Sequence, residues 1–545
     1  MKIGIDFDNT IAKYDKLFVD VALSEGFIDE ELYGYDKTAL RDYLRKQPYG
    51  ETSWMKLQGL VYGQYMVHAE LMTGVTRFLM KCKLHSHQVF IVSHKTEFGH
   101  FDSNNVSLRR EAMKWMTNKG FFDSDCLDIK QTNVFFADNR EDKVAKIAEL
   151  KCDYFIDDLP EVFANHGFPD NTTKILFSNS HKLVAEQIVD FVNAWQGIDD
   201  YILGCTSVVD VTTWFATITN LNVNRVDEVP RGGNSDLYKI HASDGNCYAA
   251  KVYPYGLADS GSRLQTEYRA IEFLQSKGVK NVPKPLISDE LLELGIYSWV
   301  NGAIINNPNA DDLKQAIDFV YKLYDISKSS KYACIGAATE ACLSANDLVE
   351  QVEKRLDNLL CVSGKYSSLK YFLTQQFIPL WKKLLDYYID CWPKSNRDED
   401  LSHEYQTLSP SDFGFHNALK QSNGLVFLDF EYFGWDDPVK LTADFVWHPA
   451  MNLGIEDILY WEKSMIDIFS SDSEFESRLY ASKPLYGMRW AMIVLNKFLP
   501  AFVDNQQLAA KNNDVSKDHV LNDQLEKAKH YCKAVKESAP QVAAI

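Results

Sequence analysis

Two carboxylates, Asp6 and Asp8, stand two residues apart in Ile3-Gly-Ile-Asp6-Phe-Asp8-Asn-Thr10-Ile, at the end of a short apolar run. At the carboxyl end of a buried strand, where ligands bind in open α/β sheets, such a pair can converge on one metal ion and one phosphate. The same spacing also fits an Asx turn that closes a strand. Ser93 ends a second apolar run in Ile91-Val-Ser-His-Lys-Thr96, where a hydroxyl and backbone N–H groups can hold a phosphate oxygen. Lys143 opens a helical stretch at residues 140–150 and can neutralise charge on a transferring phosphoryl group. Lys146 is the alternative, because the sequence alone does not fix the helix phase. Asp157 and Asp158 close a further apolar run and are hard oxygen ligands suited to Mg²⁺.

A second set of groups lies beyond residue 220. Gly232 and Gly233, followed by Asn234 and Ser235, separate two β-type runs, and such glycines let backbone amides approach phosphates; they also fit a hairpin turn. Lys251 stands in an alternating run at 247–253, and Glu267 follows sixteen residues later inside a helical stretch at 262–274. A strand lysine paired with a glutamate on the next helix positions nucleotide phosphates in kinase folds. In Leu408-Ser-Pro-Ser-Asp412-Phe-Gly-Phe-His-Asn417, five residues separate Asp412 from Asn417, and seventeen separate it from Asp429 in Leu428-Asp429-Phe-Glu431. These spacings suit a catalytic loop followed by a metal-binding strand. Trp299, in 297–302, falls where a hinge would cradle adenine, though a strand edge explains it equally. Asp444 reads as structural and His448 as a satisfied core histidine.

The elements that must carry these groups fall into two halves. Up to about residue 180, short β-rich runs (3–7, 89–93, 134–136, 154–156, 174–177) alternate with helical stretches, the order of a parallel sheet. Roughly eighty residues between the first two runs predict a helical insertion, whose Tyr14, Trp54, Tyr62 and Tyr65 either line the site or, as expected, fill its core. The second half begins β-rich and turns helical at 311–392 and again after 444; the polar stretch 505–517 reads as a surface loop or helix end. At 545 residues the chain exceeds one domain, and 46% hydrophobic residues supply ample core. Lys+Arg 57 against Asp+Glu 76 leaves a net charge of −19, which repels nucleic acid and anionic membranes. Ten scattered cysteines without a C-x-x-C pair read as reduced thiols. The opening apolar run is too short for a signal peptide and no long apolar stretch follows, so a cytoplasmic enzyme with small-molecule substrates is expected.

The first set of motifs, in this order, resembles the haloacid dehalogenase superfamily of phosphatases over roughly residues 1–190. The resemblance implies a Rossmann-like α/β domain (1–195) with a helical cap (about 12–85). It makes Asp6 the nucleophile and Asp8 the acid and base; Thr10, Ser93 and Lys143 would bind the phosphoryl group or support its loop. Asp6, Asp8 and Asp157 or Asp158 would hold Mg²⁺. The second set resembles the aminoglycoside phosphotransferase and choline kinase family over roughly 222–500. It implies a bilobal α+β protein-kinase-like domain (200–545), with an N-lobe at about 222–302 and a C-lobe at 303–545. There ATP would lie against Gly232, Gly233, Asn234, Ser235, Lys251, Glu267 and Trp299; Asp412 would be the base and Asn417 and Asp429 the Mg²⁺ ligands. One position departs from that family, which usually carries histidine two residues before the catalytic aspartate; here it is Pro410.

Together the resemblances imply a bifunctional phosphatase and ATP-dependent kinase acting on a sugar, polyol or amino alcohol, a pairing suited to making a surface-polysaccharide precursor. The alternatives are a kinase with a non-catalytic dehalogenase-like module, or a phosphatase with a kinase-like scaffold. No motif encodes the acceptor or the oligomeric state.

Overall fold

The computed structural model describes residues 1–29, 36–101, 105–178, 188–192, 195–230, 235–254, 262–329, 335–393, 399–451, 453–499 and 517–538. The chain divides into two compact units. One comprises Met1–Asp244 with Val252–Asp259 and Asp289–Leu294; the other comprises Gly245–Lys251, Ser260–Ser288 and Gly295–Ile545. The strands Val223–Val229 and Asp236–Ala242 are counted with the first unit and are packed by the helix Val208–Thr219.

In the first unit six strands run parallel in the order Val134–Ala137, Gln88–His94, Lys2–Ile5, Tyr154–Asp157, Thr173–Ser178, Ile188–Val192. Successive side chains point to opposite faces, and here both faces are buried. Ile3, Ile5, Ile91, Ile156 and Ile175 enter one core; Phe90, Val92, Phe155 and Leu176 enter the other. This is why the runs read as continuously apolar. Parallel strands also gather their carboxyl ends along one edge, which brings together the segments bearing Asp6, Ser93 and Asp157.

Two short strands, Ala12–Lys13 and Glu70–Leu71, pair antiparallel and bound the insertion. Between them lie the helices Asp15–Ser24, Lys37–Arg45 and Gly50–Tyr62. The helix Val75–Leu84 lies against the Gln88–His94 strand instead. Trp54 is core, stacked on Phe18 at 5.2 Å. Among the described residues no helix is long and apolar enough to cross a membrane, and their cysteines are free thiols.

In the second unit the strands Pro285–Asp289, Leu294–Ser298 and Cys247–Val252 lie side by side in that order. The helix Arg263–Ser276 starts at Ser262, whose hydroxyl accepts from the Gln265 N–H, and buries Leu264, Glu267, Ile271 and Leu274 on one face. Long helices follow, among them Ala310–Ser329, Ala345–Ser363, Pro438–Trp447, Ile455–Ile468 and Phe475–Val494.

Two small ladders interrupt the helices. Thr407–Ser409 pairs with Gly434–Asp436, and Ala418–Gln421 forms a hairpin with Gly424–Phe427. Gly434 admits no side chain, since a Cβ would stand 2.4 Å from the Ala338 nitrogen. Phe413, Phe445 and Trp461 form an aromatic stack, with Phe445 and Trp461 only 3.7 Å apart. The stretch 505–516 lies outside the described residues; Lys517–Ser538 is helical.

Candidate active sites

In the first unit the strand Lys2–Ile5 ends at Asp6, whose N–H donates to the Ile156 carbonyl at 2.8 Å. The chain then turns: Asn9 takes a left-handed φ of 58° and the Ile11 and Ala12 N–H groups both donate to Phe7. Asp6 is thereby left at the sheet edge and Asp8 on the turn. Across from them, Asn139 caps the helix Arg140–Leu150 by accepting from the Asp142 N–H. From that start the 3.6-residue repeat puts Lys143, Val144 and Ile147 on the buried face. Lys146 faces outward and pairs with Glu149, so Lys143 is the lysine of the site.

The Lys143 ammonium lies 2.6 Å from Asp6 Oδ1 and 2.6 Å from Asp157 Oδ2. Asp157 also accepts from the Leu159 N–H, and Asp158 accepts from the Asn9 amide at 3.2 Å. Asp8 accepts from the Tyr14 hydroxyl at 2.6 Å and from the Lys95 ammonium at 3.0 Å. Ser93 is buried and lines the same cavity of about 390 Å³, together with Asp6, Asp8, Lys37, Tyr62, Lys95 and Asp158. Thr10 does not line it. Of the two roles the sequence reading gives it, holding the phosphate or supporting the loop, the position fits the second: Thr10 is fully buried behind the loop, where its carbonyl accepts from the Trp195 indole. Tyr14 is core, as expected, and its hydroxyl reaches Asp8 from there; Tyr62 packs against that core and also lines the cavity, and Tyr65 bonds Glu25.

Burial raises the Asp6 carboxyl well above its usual range against the pull of Lys143, and Asp157, Asp158 and Asp8 add to the rise. Asp158 is pushed up to about 7, by burial and by Asp157. Burial would lower Lys143, but Asp157 and Asp6 outweigh it and hold the ammonium charged. Oxygens of Asp6, Asp157 and Asp158 lie within 4.8 Å of one another. Three crowded carboxylates against one ammonium leave surplus negative charge, and an all-oxygen donor set of this kind fits Mg²⁺.

In the second unit Lys251 projects from the Cys247–Val252 strand to Glu267 at 2.6 Å, Asp429 at 2.7 Å and Glu431 at 3.6 Å. Burial would lower its pKa, and these three carboxylates instead raise it well above the ordinary lysine value. Glu431 also binds Arg263 at 3.1 Å. Oxygens of Glu267, Asp429 and Glu431 converge within 4.8 Å, again a hard donor set that fits Mg²⁺. Asp429 sits just past the Gly424–Phe427 strand with a left-handed φ of 65°.

Asp412 lies on a loop pinned by the buried Phe413 and Phe415. Its N–H donates to the Pro410 carbonyl, and Ser411 takes a φ of 66°. The Asn417 amide donates to the Asp412 carbonyl at 3.0 Å and lies 3.4 Å from its Oδ2. His416 Nε2 is 3.1 Å and His448 Nε2 3.6 Å from Asp412 Oδ1. His448 is thus not a core histidine, contrary to the sequence reading: it ends the Pro438–Trp447 helix against the Asp412 loop. Asp444 accepts from Arg489 at 3.3 Å and from the Trp490 indole at 2.8 Å, a bracing role. A cavity of about 350 Å³ opens beside Asp412, lined among others by Arg263, Glu340, Arg355, Tyr432, Arg489 and Trp490.

Trp299 donates its backbone N–H to the Cys247 carbonyl and its indole N–H to Asn301. Ser235 directly precedes the Asp236–Ala242 strand, in the first unit. Gly232, Gly233 and Asn234 lie outside the described residues.

No family model matches the chain, and no curated protein matches it. Among solved structures it is similar to a spectinomycin phosphotransferase in complex with ADP and spectinomycin, at 10% identity and a TM-score of 0.41, over 61% of this chain and 99% of that one. An aminoglycoside phosphotransferase matches at 14% identity and a TM-score of 0.39, over 61% and 99%. A choline kinase from Cryptosporidium parvum matches at 12% identity and a TM-score of 0.38, over 58% and 90%.

Proposed function

We propose that the chain joins two phosphoryl-transfer enzymes: a capped phosphatase of the haloacid dehalogenase type and an ATP-dependent kinase for a small acceptor, of the aminoglycoside phosphotransferase and choline kinase type. One recurring arrangement carries the reading. In each unit a lysine is held between carboxylates from distant parts of the sequence, the buried Lys143 between Asp6 and Asp157 and the half-buried Lys251 between Glu267 and Asp429.

In the first site Asp6 attacks the phosphorus of a phosphomonoester and the P–O bond to the alcohol breaks. Asp8 gives the leaving oxygen its proton, then takes one from the water that cleaves the aspartyl-phosphate. Lys143 and Ser93 hold the non-bridging oxygens. Asp6, Asp157 and Asp158 are the residues that would hold Mg²⁺, which would supply neutralising charge there.

In the second site Asp412 takes the proton of an acceptor hydroxyl, whose oxygen attacks the γ-phosphorus of ATP as ADP leaves. Lys251, positioned by Glu267, pairs with the nucleotide phosphates. Asn417, Asp429 and Glu431 are the residues that would hold Mg²⁺. Run on one and the same group, the two activities would only hydrolyse ATP, so they act on different positions or at successive stages.

The test separates the halves. The full chain should hydrolyse p-nitrophenyl phosphate and lose this in Asp6→Asn. The Asp6→Asn chain, given Mg-ATP and pooled sugars, polyols and amino alcohols, should form a phosphorylated product detectable by mass spectrometry, absent in Asp412→Ala. Loss of neither activity in these variants would overturn the assignment.

A further inference from the structure

Three ammonium groups, of Lys37, Lys95 and Lys143, line the cavity above Asp6. Two of them are matched by carboxylates: Lys143 by Asp6 and Asp157, Lys95 by Asp8. Lys37 is different. Its ammonium donates to two neutral acceptors, Asn9 Oδ1 at 3.2 Å and the Tyr62 hydroxyl at 3.1 Å, and among the described residues no carboxylate oxygen lies within ion-pair distance of it.

Lys37 nonetheless keeps its charge: burial would lower its pKa, but Tyr62 and the more distant Asp158 and Asp8 outweigh it. Lys37 is the first residue of the Lys37–Arg45 helix, after the N-cap Asp36, and a positive side chain at the positive end of a helix is electrostatically disfavoured. The ammonium is half-buried and lies over two aromatic faces, which attract a cation, 4.9 Å from the centre of the Phe18 ring and 5.7 Å from that of Tyr62. Phe18 is itself fixed by its stack on Trp54, and Tyr62 packs edge-on against Phe18 at 5.6 Å. The charge is therefore held in a built cradle on the cap, facing the cavity.

We infer that Lys37, with Tyr62, is the cap's receptor for a second acid group, a carboxylate or a second phosphate, on a phosphomonoester whose scissile phosphate lies at Asp6 and Lys143. The inference rests on the phosphatase reading of this site. It adds a substrate class: small, doubly acidic phosphomonoesters rather than neutral sugar or polyol phosphates. A cavity of about 390 Å³ accommodates a compact metabolite of this kind.

The experiment compares isosteric pairs that differ only in an acid for an alcohol: 3-phosphoglycerate with glycerol 3-phosphate, and 6-phosphogluconate with glucitol 6-phosphate. With the full chain and Mg²⁺, kcat/KM should favour the acid member of each pair by about tenfold or more, the scale of one charge-assisted contact. In Lys37→Met that ratio should collapse toward one, and Lys37→Arg should restore much of it. A ratio measured on one preparation does not depend on how much of the variant folds.

Equal rates for both members in the native chain would overturn the inference. So would an equal fall for both members in Lys37→Met, which would assign Lys37 to the transferring phosphate. If p-nitrophenyl phosphate and all four probes go unhydrolysed, the phosphatase reading fails separately. Calorimetric binding of 3-phosphoglycerate then decides: binding lost in Lys37→Met upholds the receptor, and binding that is absent or unaltered overturns it.

Discussion

The imidazoles of His416 and His448 stack face to face, 3.7 Å between centres and 8° from parallel, each with Nε2 toward Asp412 Oδ1. His448 Nδ1 accepts from the Ala450 N–H, so in its neutral form the proton sits on Nε2, facing the carboxylate. Burial and the neighbouring His416 lower its pKa to about 4, which keeps it neutral at working pH. Burial alone would raise Asp412, but His416, His448 and Asn417 outweigh it and hold the carboxyl below its usual range. With Pro410 where the resembled family has histidine, the bracing of this aspartate comes from the other side of the loop.

A pH prediction follows for the proposed kinase activity. His416→Ala removes the main group favouring ionised Asp412, so the Asp412 pKa rises. The acid limb of kcat/KM, which falls as Asp412 takes up a proton, should move to higher pH. A pH profile of acceptor phosphorylation by the native and variant chains checks this.

Lys143 and Lys146 offer a matched pair. Lys143→Met should lower p-nitrophenyl phosphate hydrolysis by about 10²- to 10³-fold, the usual cost of one group that stabilises developing charge. Lys146→Met, one turn-face away and bonded to Glu149, should change it by less than about twofold. Steady-state rates for the two variants are sufficient.

Much of this placement was legible in the sequence. Strand ends are marked where apolar runs meet polar residues, which located Asp6, Ser93 and Asp157, and the Lys251 to Glu267 spacing followed from a strand and the helix after it. Lys95 was within reach too: it lies two residues beyond Ser93, and residues two apart share a strand face. Groups delivered from elsewhere left no local mark. Lys37 and Tyr62 arrive from separate helices of the insertion, and His448 reaches Asp412 from 36 residues downstream only because the Pro438–Trp447 helix ends there. A histidine after an apolar helix carries the same local pattern whether it is core or site.

Metal binding in the first unit should depend on pH. Asp158, raised to about 7, holds a proton below that pH, and Mg²⁺ must displace it. Asp6 is raised as well, so affinity should rise with pH until both carboxylates are ionised and only then level off. Calorimetry on an Asp429→Asn, Glu431→Gln chain isolates the first site, and buffers of different ionisation enthalpy count the released proton.

The second unit contains a buried ionic triad whose disruption should be felt as stability. Arg478 binds Asp437 at 3.1 Å and Asp472 at 2.8 Å, and all three side chains are almost fully buried. Arg478→Met strands both carboxylates and should cost about 3–5 kcal/mol. Urea unfolding followed by tryptophan fluorescence measures it.

The hairpin of Ala418–Gln421 with Gly424–Phe427 sets the interval between Asp412 and Asp429. Its two arms leave and return at the same place, closed by the Leu428 N–H on the Asn417 carbonyl at 2.8 Å. The gap between the two carboxylates is therefore measured by a folded arm and not by chain length. Residues added at the exposed Ser422 and Asn423 would lengthen the sequence interval and leave the spatial one as it is, whereas one residue gained between Asp412 and Asn417 would change both.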